Sequence, residues 1–331
     1  MNIAERTFIS PDNNIDELRK RHPEGLRFVV GDTHGETKTL RALMEKIRFD
    51  SQKDHVYFVG DYNGGGNVMT LLQYMAPYYQ ADHSQPGFHM IRGNHEWELY
   101  PTYTLENLPD IIVIRAKNLV YYLAHAGMIA SVLDLIHADM QKNPEQTVFA
   151  YRFDPVCVAY DAPLRQMIWS RHGFYSQKSH WKLWPDEASL LQKRACIIHG
   201  HSPYCFFKKE NYFSYGDNNL YWQNQHIFFS EELQSFNIDS NIKGRFENGE
   251  GHRGLTCVCL EGIEDAVEQN DGWLTSDGIK NAENFVFSVD HVYQLLEYAD
   301  PHVDKITAAE PKAKRITLDQ NQQPVLSEEN L

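Results

Sequence analysis

Five short polar clusters punctuate this 331-residue chain: GDTHG (31–35), GDYNGGG (60–66), GNHE (93–96), AHAG (124–127) and HGHSP (199–203). Their chemically capable members are Asp32, His34, Asp61, Asn94, His125 and His201. Carboxylate, amide oxygen and imidazole together make a mixed donor set suited to borderline divalent metals. Asp32 and His34, two apart on an extended segment, can turn toward one ion. Asp61 carries two carboxylate oxygens and can bridge a pair of ions. Two metals about 3.5–4 Å apart would bind and acidify a shared water, making hydroxide available near neutral pH.

Taken singly, each cluster has an ordinary explanation. A Gly-Asp after a strand is commonly a turn, GNHE can open a helix, and His125 can be a satisfied core histidine. His199 and His201 are not both assigned as ligands, because alternate residues share a face only while the segment stays extended. The ordered series is another matter. Asp32 and Asp61 are 29 residues apart, Asp61 and Asn94 are 33 apart, and each interval suits one strand–helix unit.

The elements that must carry these clusters are short apolar runs ending at them. LRFVV (26–30), HVYFVG (55–60), GFHMIRG (87–93), IIVI (111–114), LVYYLAHAG (119–127), ACIIHGH (195–201), FNIDS (236–240) and LTCVCLEG (255–262) read as strands. Between them, Leu40, Leu43, Met44 and Ile47 fall at helical spacing, as do Val68, Leu71, Leu72 and Met75. MIASVLDLIHADM resumes that spacing. Strands alternating with helices predict a layered α/β fold, whose sites form beyond the C-terminal ends of the strands.

Composition narrows the partners. A hydrophobic content of 42% allows a large core, and a net charge of −14 argues against broad attraction to nucleic acid or an anionic membrane surface. A local basic pocket could still hold a phosphate. No apolar run approaches the roughly 18 residues of a membrane span, and the N-terminal stretch lacks a signal-peptide layout. Five irregularly spaced cysteines fit a reducing cytoplasm, with Cys257 and Cys259 packed on one strand face. Residues 204–232 carry ten aromatics without clean periodicity, which could line a groove or pack over a sheet edge. The stretch 304–331 lacks apolar rhythm and is expected to be a mobile tail, leaving 1–303 as one domain with its core at about 26–262.

The motif series resembles the calcineurin-like metallophosphoesterase superfamily, most closely its phosphoprotein phosphatase branch of bacterial type. The resemblance covers about residues 26–262 and implies a β-sandwich flanked by helices, with a dinuclear metal site at the strand C-terminal ends. It implies Asp32, His34 and Asp61 as ligands of one metal, and Asp61, Asn94, His125 and His201 as ligands of the other. The two ions would be Mn, Fe or Zn. His95 resembles the general acid that protonates the leaving oxygen. IWSR (168–171) matches a segment whose arginine clamps phosphoryl oxygens, which makes Arg171 the implied clamp. The implied substrate is a phosphorylated one, a phosphoprotein or a small phosphoester.

The second motif departs from the branch. It normally reads GDYVDRG, whereas here Gly64 stands for the aspartate that steadies the general acid and Gly65 for an arginine that grips the phosphate. The first change weakens the support of His95, and the second removes a charge-assisted contact worth on the order of 10²-fold in rate. Three readings follow. One is an active phosphoesterase in which Arg171, Arg92 or Arg253 supplies charge, Arg92 being the structural candidate among them. Another is a dinucleoside-polyphosphate hydrolase or nucleotidase. The third is a weakly active metal-binding interaction protein, which would need none of the six ligand types it retains. If the missing clamp limits the rate, Gly65→Arg should raise activity on small phosphomonoesters.

Overall fold

The computed structural model of the protein describes residues 14–98, 105, 107–159, 162–169, 194–202, 219–222, 227–231, 234–240, 242, 254–270, 274–275, 279, 285–292 and 313–327. A first helix, α1 (Asn14–Arg21), precedes strand β1 (Arg27–Val30), helix α2 (Thr37–Lys46), strand β2 (His55–Phe58) and helix α3 (Val68–Met75). Strand β3 (Gly87–Met90) and the short helix α4 (Asn94–Glu98) follow. Next come β4 (Ile111–Arg115), β5 (Val120–Ala124), helix α5 (Ala130–Lys142), β6 (Val148–Phe153), helix α6 (Gln166–Trp169) and β7 (Ala195–His199). The described chain continues with β8 (Asn219–Trp222), β9 (Ile227–Ser230), β10 (Ser235–Asn237), β11 (Gly254–Cys259), helix α7 (Leu260–Glu268), β12 (Val286–Asp290), β13 (Lys314–Leu318) and β14 (Pro324–Leu326).

The strands form two sheets. The first has the order β12-β11-β1-β2-β3, and the second β14-β13-β6-β4-β5-β7-β10-β9-β8. Strands β1, β2 and β3 run parallel to one another, as β5, β7 and β10 do in the second sheet. Period-two alternation builds the sandwich. Ile112, Ile114, Tyr121 and Leu123 turn inward to join Phe28, Val56 and Phe88 of the first sheet. Ile111, Val113, Val120 and Tyr122 turn outward, where Val132, Leu133, Ile136 and Met140 of α5 cover them. On the outside of the first sheet, α2 and α3 bring the apolar stripes Leu40, Leu43, Leu71 and Met75 into the core. This is an α/β fold: a β-sandwich flanked by helices.

Helix α7 replaces the last part of an expected strand, since Leu260, Glu261 and Gly262 are helical. Glu261 and Glu264, three apart on one helix face, explain the switch. Glu261 accepts from Arg27 Nε of the first sheet at 2.6 Å, and Glu264 accepts from the Tyr121 hydroxyl of the second at 3.0 Å. The helix thereby ties both layers together. Cys257 and Cys259 are fully buried on β11, where burial pushes both thiols up, as befits packing residues.

The stretch 304–331, expected to be a mobile tail, carries two strands among its described residues. Residues Lys314–Leu318 pair in parallel with β6, and Pro324–Leu326 pair in turn with β13. Only Ile316 of β13 is fully buried, so the segment offers one core residue and too little apolar rhythm to be read as a strand. Most of the aromatic stretch 204–232 lies outside the described residues. The part that is described forms β8 and β9 at one edge of the second sheet, with Phe229 in the core between the sheets. No helix among the described residues is long and apolar enough to cross a membrane.

Candidate active site

Parallel strands end together, and that is what gathers the polar clusters. Asp32 and His34 follow β1, Asp61 follows β2, and Asn94 opens α4 just beyond β3. His125 follows β5 directly, and His201 follows β7. All six are buried, and His95 beside them is part-exposed.

Three of these turns adopt left-handed backbone at a non-glycine residue: φ is 45° at His34, 53° at Asp61 and 65° at His201. Such conformations cost about 1–3 kcal/mol each and persist where surrounding contacts hold them. Those contacts are visible. The His34 amide donates to Asp61 O at 2.8 Å, and the His201 amide donates to Asp32 Oδ2 at 3.0 Å. The His95 amide donates to Asp61 Oδ1 at 3.0 Å. Gly200 is obligatory at this crossing, because a Cβ there would overlap Asp32 Oδ1.

Ring tautomers follow from the carbonyls they meet, since a carbonyl can only accept. His125 Nδ1 lies 2.8 Å from Val59 O and therefore carries the proton, leaving the lone pair on Nε2. His201 Nε2 lies 3.1 Å from Trp169 O, which leaves the lone pair on Nδ1. These two nitrogens are 3.1 Å apart, and Asn94 Oδ1 sits 2.9 Å from the first and 2.8 Å from the second. Asp61 Oδ1 is 3.3 Å from His125 Nε2. Four electron-rich atoms thus crowd one point, an arrangement that a shared cation relieves.

A second grouping lies on the other side of Asp61. His34 Nδ1 donates to Asn63 O at 2.6 Å, so its Nε2 lone pair faces Asp61 Oδ2 at 3.9 Å and Asp32 Oδ2 at 4.0 Å. His95 Nε2 is 3.8 Å from the same Asp61 oxygen, and its ring meets His34 edge-on at 5.3 Å between centroids. The donor atoms of His34, Asp61 and His95, and those of Asp61, His125 and His201, each fall within 4.8 Å of one another and could hold a metal ion. Asp61 is common to both groups. The side chains present fit two metal ions with a carboxylate between them.

The family model described as calcineurin-like phosphoesterase matches residues 28–316. The chain belongs to this family. Among curated proteins it is similar to the symmetrical bis(5'-nucleosyl)-tetraphosphatase of Coxiella burnetii (strain RSA 493 / Nine Mile phase I), 34% identical over 19% of this chain and 22% of the relative. The Photorhabdus laumondii protein of the same description is 29% identical over 37% of this chain and 51% of the relative. The chain thus spans about a fifth to a half of the length of these relatives. Among solved structures, a protein serine/threonine phosphatase from Saccharomyces cerevisiae covers 90% of this chain and 92% of its own, at 13% identity and a TM-score of 0.44.

The remaining expected residues fall as follows. Arg171 and Arg253 lie outside the described residues, although Ile168 and Trp169 of the same IWSR segment end α6. Arg92 is occupied elsewhere: it grips buried Asp110 through Nε at 3.0 Å and Nη2 at 2.6 Å. His199 is buried, with its imidazole pushed down to about 4 by desolvation, and it stands outside both donor groups.

Glu96 carries a role that the spacing did not disclose. Its buried carboxylate accepts the Asp61 and Gly93 amides at Oε2 and the Tyr62 amide at Oε1, each at 2.8 Å. Burial pushes this carboxyl up while the backbone amides pull it down. It binds the second cluster to the third. The only hint in the sequence is the fourth letter of GNHE.

Proposed function

We propose that the protein is a metal-dependent phosphoesterase whose two-ion site is held by these residues. Asp32, His34 and Asp61 would hold one ion, and Asp61, Asn94, His125 and His201 would hold the other. Divalent ions held there supply Lewis acidity toward water and phosphoryl oxygens, and Mn, Fe and Zn all suit the donors. Asp61, common to both donor groups, would contribute a carboxylate oxygen to each ion. Glu96 fixes the loop that presents it. His95, half-buried beside Asp61, is placed to hold a proton at Nε2 and deliver it to the departing oxygen. Arg171 is the proposed phosphoryl clamp. The observation that carries this reading is the convergence of His125 Nε2, His201 Nδ1, Asn94 Oδ1 and Asp61 Oδ1 on one point.

The substrate is proposed as a phosphomonoester, on a protein or on a small molecule. A second reading, hydrolysis of dinucleoside polyphosphates, is favoured by the description shared by the curated relatives. Hydrolysis of para-nitrophenyl phosphate with added Mn²⁺ tests the first reading, comparing the natural protein with Asp61→Asn and His95→Asn. Metal-dependent turnover lost in both variants supports it, and absence of metal-dependent turnover sinks it. Turnover of diadenosine tetraphosphate far above that of phosphopeptides would favour the second reading.

A further inference from the structure

A cavity of about 300 Å³ is lined by Trp97, Pro155, Val158, Ala159, Arg165 and Trp169. Two of its walls are joined to the candidate site. Trp97 lies two residues beyond His95 on α4, and the carbonyl of Trp169 accepts from His201 Nε2 at 3.1 Å. Its volume is at the small end of ligand pockets, enough for one ring system rather than an extended chain.

The lining has a consistent character. Trp97 is held as a fixed wall: its Nε1 donates to Asp110 Oδ1 at 3.1 Å, and the Arg92 guanidinium lies 3.9 Å above its ring. Arg165 sits 4.5 Å over the ring of Trp169. Flat indole and guanidinium surfaces dominate, with Pro155, Val158 and Ala159 closing the space apolarly. Among the described residues, the lining holds no carboxylate or amide that could read the edge of a ligand. Arg165 is the one charged member among the described lining residues, and its sign favours a group joined to phosphate.

We propose that this cavity receives a planar aromatic group attached to the phosphate that the neighbouring site would hydrolyse. The proposal rests on the phosphoesterase reading and sharpens it to aromatic phosphoesters. Stacking against indole accepts any π face, so a nucleobase and a tyrosine ring share the chemistry. The described lining addresses the face of the ring.

Isothermal titration calorimetry of the full chain with Mn²⁺ tests this with adenosine monophosphate, phosphotyrosine and glycerol phosphate. At least one aromatic ligand should bind roughly 10-fold or more tightly than glycerol phosphate. That advantage should fall to about 2-fold or less in Trp169→Ala, and equally in Ala159→Trp, which fills the mouth from an exposed position. The second variant keeps the test decisive if the first fails to fold. Tighter adenosine monophosphate would identify a nucleobase, and tighter phosphotyrosine a protein side chain. Equal binding of all three, or an aromatic advantage that survives both variants, overturns the proposal. Aromatic selectivity retained without metal-dependent hydrolysis of any phosphoester would uphold it and overturn the phosphoesterase reading instead.

Discussion

Gly65 lies against the backbone of His34, so that a Cβ on residue 65 would stand 2.8 Å from His34 O and 3.2 Å from His34 Cβ. The Gly66 amide donates to the same carbonyl at 2.6 Å. The glycine run therefore grips the loop that carries the candidate ligand His34. An arginine is not simply missing from this place, because the space beside Gly65 is taken.

The restorative substitution should accordingly fail. Gly65→Arg, expected from the sequence to raise activity, is expected from the structure to lower it by displacing His34. Even Gly65→Ala should weaken Mn²⁺ binding by about 10-fold or more, the scale of losing support behind a ligand. Titration of metal into the variants, followed by thermal shift, measures this. Activity above that of the natural protein in Gly65→Arg would show that the loop can yield.

Metal itself should stabilise the fold. Chelation leaves the lone pairs of His125, His201 and Asn94 crowded together, so apo protein should melt lower than protein with Mn²⁺. At a metal concentration 100 times the dissociation constant, the gain is about 2.7 kcal/mol for one site. His125→Ala should remove most of that shift. Differential scanning calorimetry with and without chelator is the measurement, and equal melting temperatures would count against the site.

Glu96→Ala should unfold the protein readily. Three backbone amides, those of Asp61, Tyr62 and Gly93, lose their buried acceptor together. Each such loss costs about 1–3 kcal/mol. Glu96→Gln keeps one acceptor oxygen and should lie between. Urea unfolding ranks the three proteins, and a variant as stable as the natural chain would show that water replaces the carboxylate.

Asp110→Ala should be comparably severe, at about 3–5 kcal/mol, because it strands the buried Arg92 charge. The same carboxylate also accepts from the Phe153 amide at 2.6 Å and from Trp97 Nε1. Arg92→Lys would not repair a bidentate contact, so it should destabilise as well. Equilibrium denaturation measures both.

A chain of three imidazoles gives the fold an acid-sensitive element away from the candidate site. His55 Nδ1 lies 3.2 Å from His89 Nε2, and His83 Nδ1 lies 3.4 Å from His89 Nδ1. Burial pushes His83 down to about 4, against the opposing charge of Asp82, and pushes His89 well below its usual range. Unfolded histidines titrate near 6.5, so between about pH 6.5 and 4 the unfolded state binds more protons than the folded one. Stability should therefore be fully present above that window and fall as pH drops through it. The slope approaches about 1.4 kcal/mol per pH unit for each such histidine. His83→Gln should flatten the slope by about one proton in a pH series of unfolding curves.

Much of this architecture could be read directly from residues. The runs 26–30, 55–60, 87–93 and 195–201 end at polar clusters, and the structure begins a strand within each of them. Parallel pairing, which strand–helix alternation implies, brings the first three to one edge of the first sheet, while the fourth ends a strand of the second sheet. What stayed hidden depends on contacts between distant residues. Glu96 acquires its role only because Asp61 and Gly93 come within reach, and Trp97 and Trp169 share a cavity only after α4 and α6 are placed. Strand β13 has one buried residue, so its partner β6 defines it more than its own letters do. Gly64 and Gly65 read in sequence as the loss of an aspartate and an arginine, whereas in the structure Gly65 and Gly66 fit closely against His34 and Gly35.

The parallel pairing of β13 with β6 also sets an order of events during synthesis. Every candidate ligand, from Asp32 to His201, leaves the ribosome before residues 314–318 do. Until then β6 presents an open row of backbone donors and acceptors, a template on which another nascent chain could add. The nine-stranded sheet is thus capped late. A chain stopped short of residue 314 would retain all six candidate ligands and yet expose this edge of β6 to self-association.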